Sequence, residues 1–249
     1  MIIIKNNKEI DFMRSAGKIV AETLLLIEEK VRPGITTAEL DRIAEEFITK
    51  HGARPSFKGL YGFPASLCIS VNEQVVHGIP GGYVLKDGDI VSIDCGANIN
   101  GFHGDAARTF SVGDISKEAE RLINVTKESF FRGIEYAKVG NRLTDISHEI
   151  QSYVEAAGFS VVRDFVGHGI GRVVHEDPDI PNYGHPGRGP KLVEGMALAI
   201  EPMVNVGNYK VKTLSNDWTV VTSDGSLSAH YENTIVILPD GPEILTLIR

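Results

Sequence analysis

IVSIDCGANINGFHGDAARTFSV, residues Ile90–Val112, reads as two strands joined at Asn100-Gly101. That dipeptide best suits a two-residue type I′ hairpin turn, whose central positions both need positive φ. A turn there sets the register: Asp94 pairs with Ala107, and Gly96 with Asp105. Side chains alternate with period two, so Asp94 and Asp105 project from one face as diagonal neighbours, roughly 7–8 Å apart at the backbone. Aspartate is depleted in strands. At about 4 Å and an effective dielectric near 20, two such charges repel by about 4 kcal/mol. Either the hairpin is an edge with both carboxylates in water, or something positive sits between them.

The composition narrows the class. A chain of 249 residues with 42% hydrophobic side chains is long enough to bury a substantial core. A net charge of −8 argues against direct nucleic-acid or anionic-membrane partners, which need basic patches. The start, MIIIKNNKEIDF, lacks the positive n-region and small-residue cleavage site of a signal peptide. No apolar run approaches the roughly 20 residues of a membrane span. Cys68 and Cys95 are the two cysteines, too few for a disulfide framework or a thiolate zinc site. A soluble protein of the reducing cytoplasm fits this reading, and the absence of heptads makes a monomer the default.

Working outward, Lys8–Val31 carries apolar residues at near-helical spacing (Ile10, Met13, Ile19, Val20, Leu24, Ile27) and stops before Pro33-Gly34, a breaker pair. Thr36-Thr37-Ala38-Glu39 has the form of a capping box. A second helix follows, with Leu40, Ile43, Phe47 and Ile48 as its stripe, ending near Gly52. Strand-like runs occupy Ser66–Val71 and Gln74–His77. The pattern then restarts. Gly34 through Gly52 is matched by Gly140 through Gly158 at a constant offset. Leu85-Lys-Asp-Gly88 before Asp94 is matched by Leu192-Val-Glu-Gly195 before Glu201, one residue further on. The chain therefore reads as a single domain, 1–249, of two related α+β halves of about 1–110 and 111–249.

This repeat places Glu201 where the first half has Asp94. Glu201 follows the apolar run Met196–Ile200 and precedes Pro202, which should end or bulge a strand. Ser228–Leu238 reads as one further strand holding Glu232. Acidic residues thus lie in or beside strands four times, at Asp94, Asp105, Glu201 and Glu232. The helical acids Glu28, Glu29, Glu45 and Glu46 need no such account, since they read as solvated faces. FVGHGIGRVVH, Phe165–His175, adds His168 between two glycines, where backbone can approach a ligand closely. Oxygen donors with one imidazole and no thiolate suit Mn, Fe, Co or Zn. Bridging carboxylates can hold two such ions about 3.5–4 Å apart and generate a hydroxide nucleophile at neutral pH. His175 and His77 are candidates to stabilise a developing oxyanion. By parity, His103 and His230 could also be ligands, although a lone histidine is more often structural. His51, His148 and His185 read as helix-face or loop residues. HExxH, GxxxxGK[ST], GxSxG and a strand-following GxGxxG are all missing, which removes the common rival chemistries.

FVGHGIGRVVHEDPDIPNY, Phe165–Tyr183, resembles the signature of the type I methionine aminopeptidases. NEQVVHGIP, DCGANINGFHGDAARTF, AIEPM and YENTIVI resemble that family's other blocks, in its order. The resemblance covers essentially the whole chain. It implies the pita-bread fold, an α+β architecture of two pseudo-symmetric halves with helices packed on a central antiparallel sheet. It implies two divalent ions on Asp94, Asp105, His168, Glu201 and Glu232, with Asp105 and Glu232 bridging. His77 would contact substrate near the scissile bond, His175 would bind the substrate carbonyl, and Glu201 would also accept a proton. His103 and His230 gain no role from it.

The substrate it implies is the N-terminal methionine of a nascent polypeptide whose second residue is small, met during transient association with the ribosome. Phe63, Cys68 and Trp218 match positions of the methionine pocket. Leu60, Tyr61 and Val174 depart from the Tyr, His and Phe that familiar members carry, which bears on pocket shape more than on reaction. The chain reads as the minimal form, without a zinc-finger extension or the long insertion of type II enzymes. Its own Met1 should be retained, since Ile2 is bulky. Prolidase-like enzymes, which share fold and ligands but cleave X-Pro bonds, are the nearest rival; a non-catalytic module of the same fold is the rival from another class.

Overall fold

The Asn100-Gly101 turn adopts the conformation its residue types require, with φ of 56° and 78°. Strands Ile90–Ile99 and Phe102–Ser111 pair antiparallel over their whole length, and Asp94 stands opposite Ala107 and Gly96 opposite Asp105. The register expected from the sequence is the register found. The structure is a computed structural model and describes residues 1–248.

Helix α1 spans Asn7–Lys30 and α2 spans Thr37–Lys50. The expected capping box closes α2: Thr36 Oγ1 accepts from the Glu39 amide at 3.2 Å, and Glu39 Oε2 accepts from the Thr36 amide at 2.9 Å. Asn6 and Glu9 form a second box at the start of α1. Both helices turn their apolar stripes onto the hairpin, where Val20, Leu24, Ile27, Leu40 and Ile48 pack against Leu67, Ile69, Val91 and Ile93. Helices α3 (Lys117–Ile134) and α4 (Leu143–Ala156) do the same for the second sheet, with Phe130, Ile146 and Ile150 against Leu198, Ile200 and Ile235. At the point where α1 crosses the hairpin, a side chain on Gly104 would come within 2.8 Å of the Gly17 backbone nitrogen. Two glycines thus bring helix and strand into backbone contact beside Asp105.

The second sheet runs in the order Gly241–Ile244, Asn233–Leu238, Ala197–Ile200, Gly167–Gly169, Glu176–Ile180, all neighbours antiparallel. One expectation is corrected here. Ser228–Leu238 is two strands, Ser228–His230 and Asn233–Leu238, with Tyr231 and Glu232 between them. The cause is a change of partner: Ser228–His230 pairs with Met203–Asn205, whereas Asn233–Leu238 pairs with Ala197–Ile200. Pro202 interrupts the facing strand at the same level, as its missing N–H requires. Glu201 and Glu232 therefore both stand where the chain passes from one sheet to another.

Candidate metal centre and active site

One cavity gathers the acidic residues of both halves. Asp94, Asp105, Glu201 and Glu232 line it together with His77, His168 and His175, and its apolar side is made by Leu60, Tyr61, Phe63, Cys68 and Trp218. Each residue that the resemblance assigns to the ions or the reaction, and each of Leu60, Tyr61, Phe63, Cys68 and Trp218, lines this cavity, whereas His103 and His230, possible ligands by parity, do not. Phe57 lines it too and was missed; the signal available was an aromatic two residues before the Gly59–Pro64 stretch. His103 is elsewhere, its Nδ1 hydrogen-bonded to Ser56 Oγ at 2.8 Å. His51 and His148 are exposed and bind backbone carbonyls of Phe47 and Gly184.

Local backbone explains how each group is aimed. The hairpin register presents Asp94 and Asp105 on one face. Thr234 Oγ1 accepts from the Asp105 amide and donates to the Asp105 carbonyl, both at 2.9 Å, so the second sheet holds the Asp105 backbone from both sides. His168 sits between Gly167 and Gly169, but their smallness serves the neighbouring strands rather than a ligand. A side chain on Gly167 would lie 2.4 Å from the Ala199 carbonyl oxygen, and one on Gly169 2.1 Å from that of Asp177. His77 takes φ of 59°, an unusual value for a non-glycine residue and one that collects at functional sites.

The electrostatics call for cations. Asp105 and Glu232 are 3% and 2% exposed. Asp94 Oδ1, Asp105 Oδ1 and Glu232 Oε1 are sealed from solvent and have no hydrogen-bond partner among the described residues. Burial raises Asp94 to about 7, and burial followed by neighbouring carboxylate charge raises Asp105 and Glu232 well above the ordinary range. Glu201 is raised for the same two reasons. Four such groups cannot all ionise in an enclosed site without positive charge between them.

His168 completes a donor set. Its Nδ1 donates to the Gly169 carbonyl at 2.9 Å, which leaves the Nε2 lone pair free to bind a metal. Nε2 lies 3.5 Å from Glu201 Oε1, and ligand atoms of Asp105, His168 and Glu232 all fall within 4.8 Å of one another. Burial, then the nearby His175, lowers His168 to about 4, so the ring is neutral near pH 7 as a ligand must be. The orphaned oxygens, the hard donors and the fixed tautomer fit divalent ions.

Beside the acids, His175 stands edge-on to His168 with ring centroids 4.5 Å apart and stacks on Tyr61 at 5.8 Å. Phe63 meets Trp218 edge-on at 5.1 Å. Of the three departures from the familiar pattern, Tyr61 is 75% exposed at the mouth, Leu60 packs on the apolar side, and Val174 lies buried behind it with Phe57, Phe63 and Cys68.

The sequence profile of metallopeptidase family M24 matches residues 11–239. The chain belongs to that family. Within it, a methionine aminopeptidase of Clostridium perfringens is 78% identical over 249 residues, 100% of each chain. The crystal structure of methionine aminopeptidase from Rickettsia prowazekii superposes on this M24 chain with a TM-score of 0.98 at 48% identity, covering 99% of this chain and 100% of that one. A prolidase from Pyrococcus furiosus shares the fold at 24% identity and a TM-score of 0.82, covering 99% of this chain and 66% of its own. The architecture is the pita-bread fold that the resemblance implied, and this M24 chain is a metal-dependent hydrolase.

Proposed function

We propose that this chain removes the N-terminal methionine from nascent polypeptides whose second residue is small, by hydrolysing the first peptide bond at a centre of two divalent ions. The observation that carries the reading is the meeting, in one cavity, of four carboxylates, Asp105 and Glu232 buried and Asp94 and Glu201 nearly so, and His168 with an aromatic-lined apolar side. Asp94, Asp105, His168, Glu201 and Glu232 would hold the ions, with Asp105 and Glu232 shared between them; Co, Mn, Fe and Zn all suit such donors. Ions bound there would supply Lewis-acid polarisation of the scissile carbonyl and would lower the pKa of water enough to give a nucleophile at neutral pH.

The side chains divide the remaining work. The substrate's free amine goes toward the carboxylates, and its methionine side chain lies against Phe63, Cys68, Trp218, Leu60 and Tyr61, where full burial is worth about 1.5–3 kcal/mol. Burial holds His175 below the ordinary histidine range, so it is a neutral donor near pH 7. It donates to the carbonyl oxygen as that oxygen gains charge, and stacking on Tyr61 fixes the ring plane. His77, lowered to about 4 by burial and then by His175, is likewise neutral and donates to the substrate near the scissile bond. Glu201, ionised beside the ions it would help hold, would accept the proton of the attacking water.

Support for this substrate comes from the methionine aminopeptidases that match along their full length. The setting we propose is the cytoplasm, where the chain acts as a monomer of one domain and meets its substrates in passing at the ribosome. Its free cysteines are buried, and no helix among the described residues is long and apolar enough to cross a membrane. Cleavage of X-Pro bonds is the second reading, favoured by the prolidase-like fold. The test compares methionine release from Met-Ala-Ser with cleavage of Ala-Pro-Ala, before and after chelation. Preference for Ala-Pro-Ala overturns the substrate, and release that survives complete demetallation overturns the chemistry.

A further inference from the structure

Among the buried histidines, His230 is the one that the proposed reaction leaves without a task. Its side chain is 2% exposed, and Nε2 has no hydrogen-bond partner among the described residues. That nitrogen faces the acids: Glu201 Oε2 is 3.8 Å away and Glu232 Oε2 4.0 Å. The Glu201 carboxylate is thus flanked by two imidazoles, His168 on Oε1 and His230 on Oε2. The ring cannot drift off, because its backbone is pinned. Thr109 Oγ1 accepts from the His230 amide and donates to its carbonyl, both at 2.9 Å, and the strand pairs with Met203.

A buried polar nitrogen without a partner costs about 1–3 kcal/mol, and a protein retains one where another state satisfies it. A bare Nε2 lone pair facing two carboxylate oxygens would be repelled. With the hydrogen on Nε2, the same arrangement is attractive. A shift of either carboxylate by about 1 Å brings its oxygen to the 2.7–2.9 Å of a charge-assisted hydrogen bond. We propose that His230 is a positioning residue: its Nε2–H holds the Glu201 and Glu232 carboxylates in the orientation that receives the ions, without touching ion or substrate. The proposal rests on the reading of this cluster as a divalent-metal centre.

The test uses the metal-stripped full chain, Co²⁺ as the probe, titration calorimetry, the Co²⁺ absorption spectrum and thermal unfolding. His230→Leu keeps the bulk and removes the donor. It should weaken Co²⁺ binding by about 10–100-fold, the usual effect of losing an outer hydrogen-bond partner. The melting temperature of its metal-free form should stay the same or rise, since an unpartnered buried nitrogen is gone. A residue needed only for packing would move both quantities downward together. His230→Gln, whose amide reaches as far as Nε2, should recover most of the affinity, and His230→Asn, which stops short, should not. That pair decides the matter even if the leucine variant fails to fold.

Wild-type affinity in His230→Leu overturns the proposal, as does a glutamine variant no better than the asparagine one. Displaced Co²⁺ bands in the saturated glutamine variant would make His230 a direct ligand and overturn it as well. Wild-type protein that takes up no Co²⁺ would defeat the metal reading itself, a separate result.

Discussion

Ala107 and Glu232 exchange two backbone hydrogen bonds: the Ala107 amide donates to the Glu232 carbonyl at 3.3 Å, and the Glu232 amide to the Ala107 carbonyl at 3.0 Å. This pair closes the hairpin onto the second half at the level of the acids. Arg108 reinforces it by donating to the Glu232 carbonyl and to Asn233 Oδ1, while its guanidinium lies 4.3 Å from the Tyr231 ring centroid. The two proposed bridging ligands, Asp105 and Glu232, thus hang from one continuous backbone frame.

Because that frame is built from main chain, Asp105→Asn and Glu232→Gln should fold normally by circular dichroism. Each should lose activity and bind Mn²⁺ or Co²⁺ more than about 100-fold more weakly, beyond the cost of losing an outer partner. The metal-free variants should melt no lower than wild type, since each removes a buried orphan carboxylate. Full activity in either would mean that the bridge is misassigned.

His175→Ala removes the donor proposed for the reacting carbonyl and leaves the apolar side intact. A group that acts as charge develops is worth about 10²–10³ in kcat, so kcat should fall by that much with KM nearly unchanged. Steady-state kinetics on a Met-Ala peptide would show it. A rise in KM at constant kcat would place His175 in ground-state binding instead.

The metal-free protein should lose stability as pH rises above about 6.5. Burial puts Asp94 at about 7, and burial followed by repulsion from neighbouring carboxylates puts Asp105, Glu201 and Glu232 well above the ordinary range. The folded state therefore holds protons that the unfolded chain has already released, and stability falls through the raised values. The buried histidines work the other way at lower pH. His77 and His168 sit at about 4, so the unfolded chain alone takes up protons below about 6.5, and the two effects oppose each other there. Calorimetric melting from about pH 6.5 to about 8.5 should show the decline with chelator and a flatter profile with saturating Mn²⁺. A flat profile in chelator would mean that the acids ionise freely in water.

At the other end of the chain, Lys5 pairs with Glu176, both side chains 3% exposed. Glu176 follows His175 and accepts from the Arg172 amide at 2.8 Å, so the N-terminal segment braces the loop that carries the imidazole. Lys5→Met leaves a buried carboxylate unpaired and should cost about 3–5 kcal/mol in urea unfolding. Adding Glu176→Gln should recover part of that loss. A double variant as unstable as the sum of the singles would show that the pair is not coupled.

Much of this protein is written locally in its sequence. Asn100-Gly101 determines the hairpin register, because a two-residue turn with two positive φ values leaves one pairing, and that pairing places Asp94 and Asp105 on one face. Thr36 and Glu39 determine where α2 begins, through bonds that span three residues. Four acids in or beside apolar strands raise the expectation of a cation site, since burying such charges unpaired is costly. The tertiary structure decided what depends on distant partners. Glu201 and Glu232 stand at breaks because their strands change sheets, and Ser228–Leu238 looks continuous until its two halves choose Met203–Asn205 and Ala197–Ile200. The glycines beside His168 look like a ligand cradle until Ala199 and Asp177 are seen against them. Whether His230 faces solvent, core or carboxylates is likewise set by the packing of the hairpin on the second sheet. Local turns and caps are short-range hydrogen bonds that a few residues can specify, whereas the acidic cavity is a contact between strands more than a hundred residues apart.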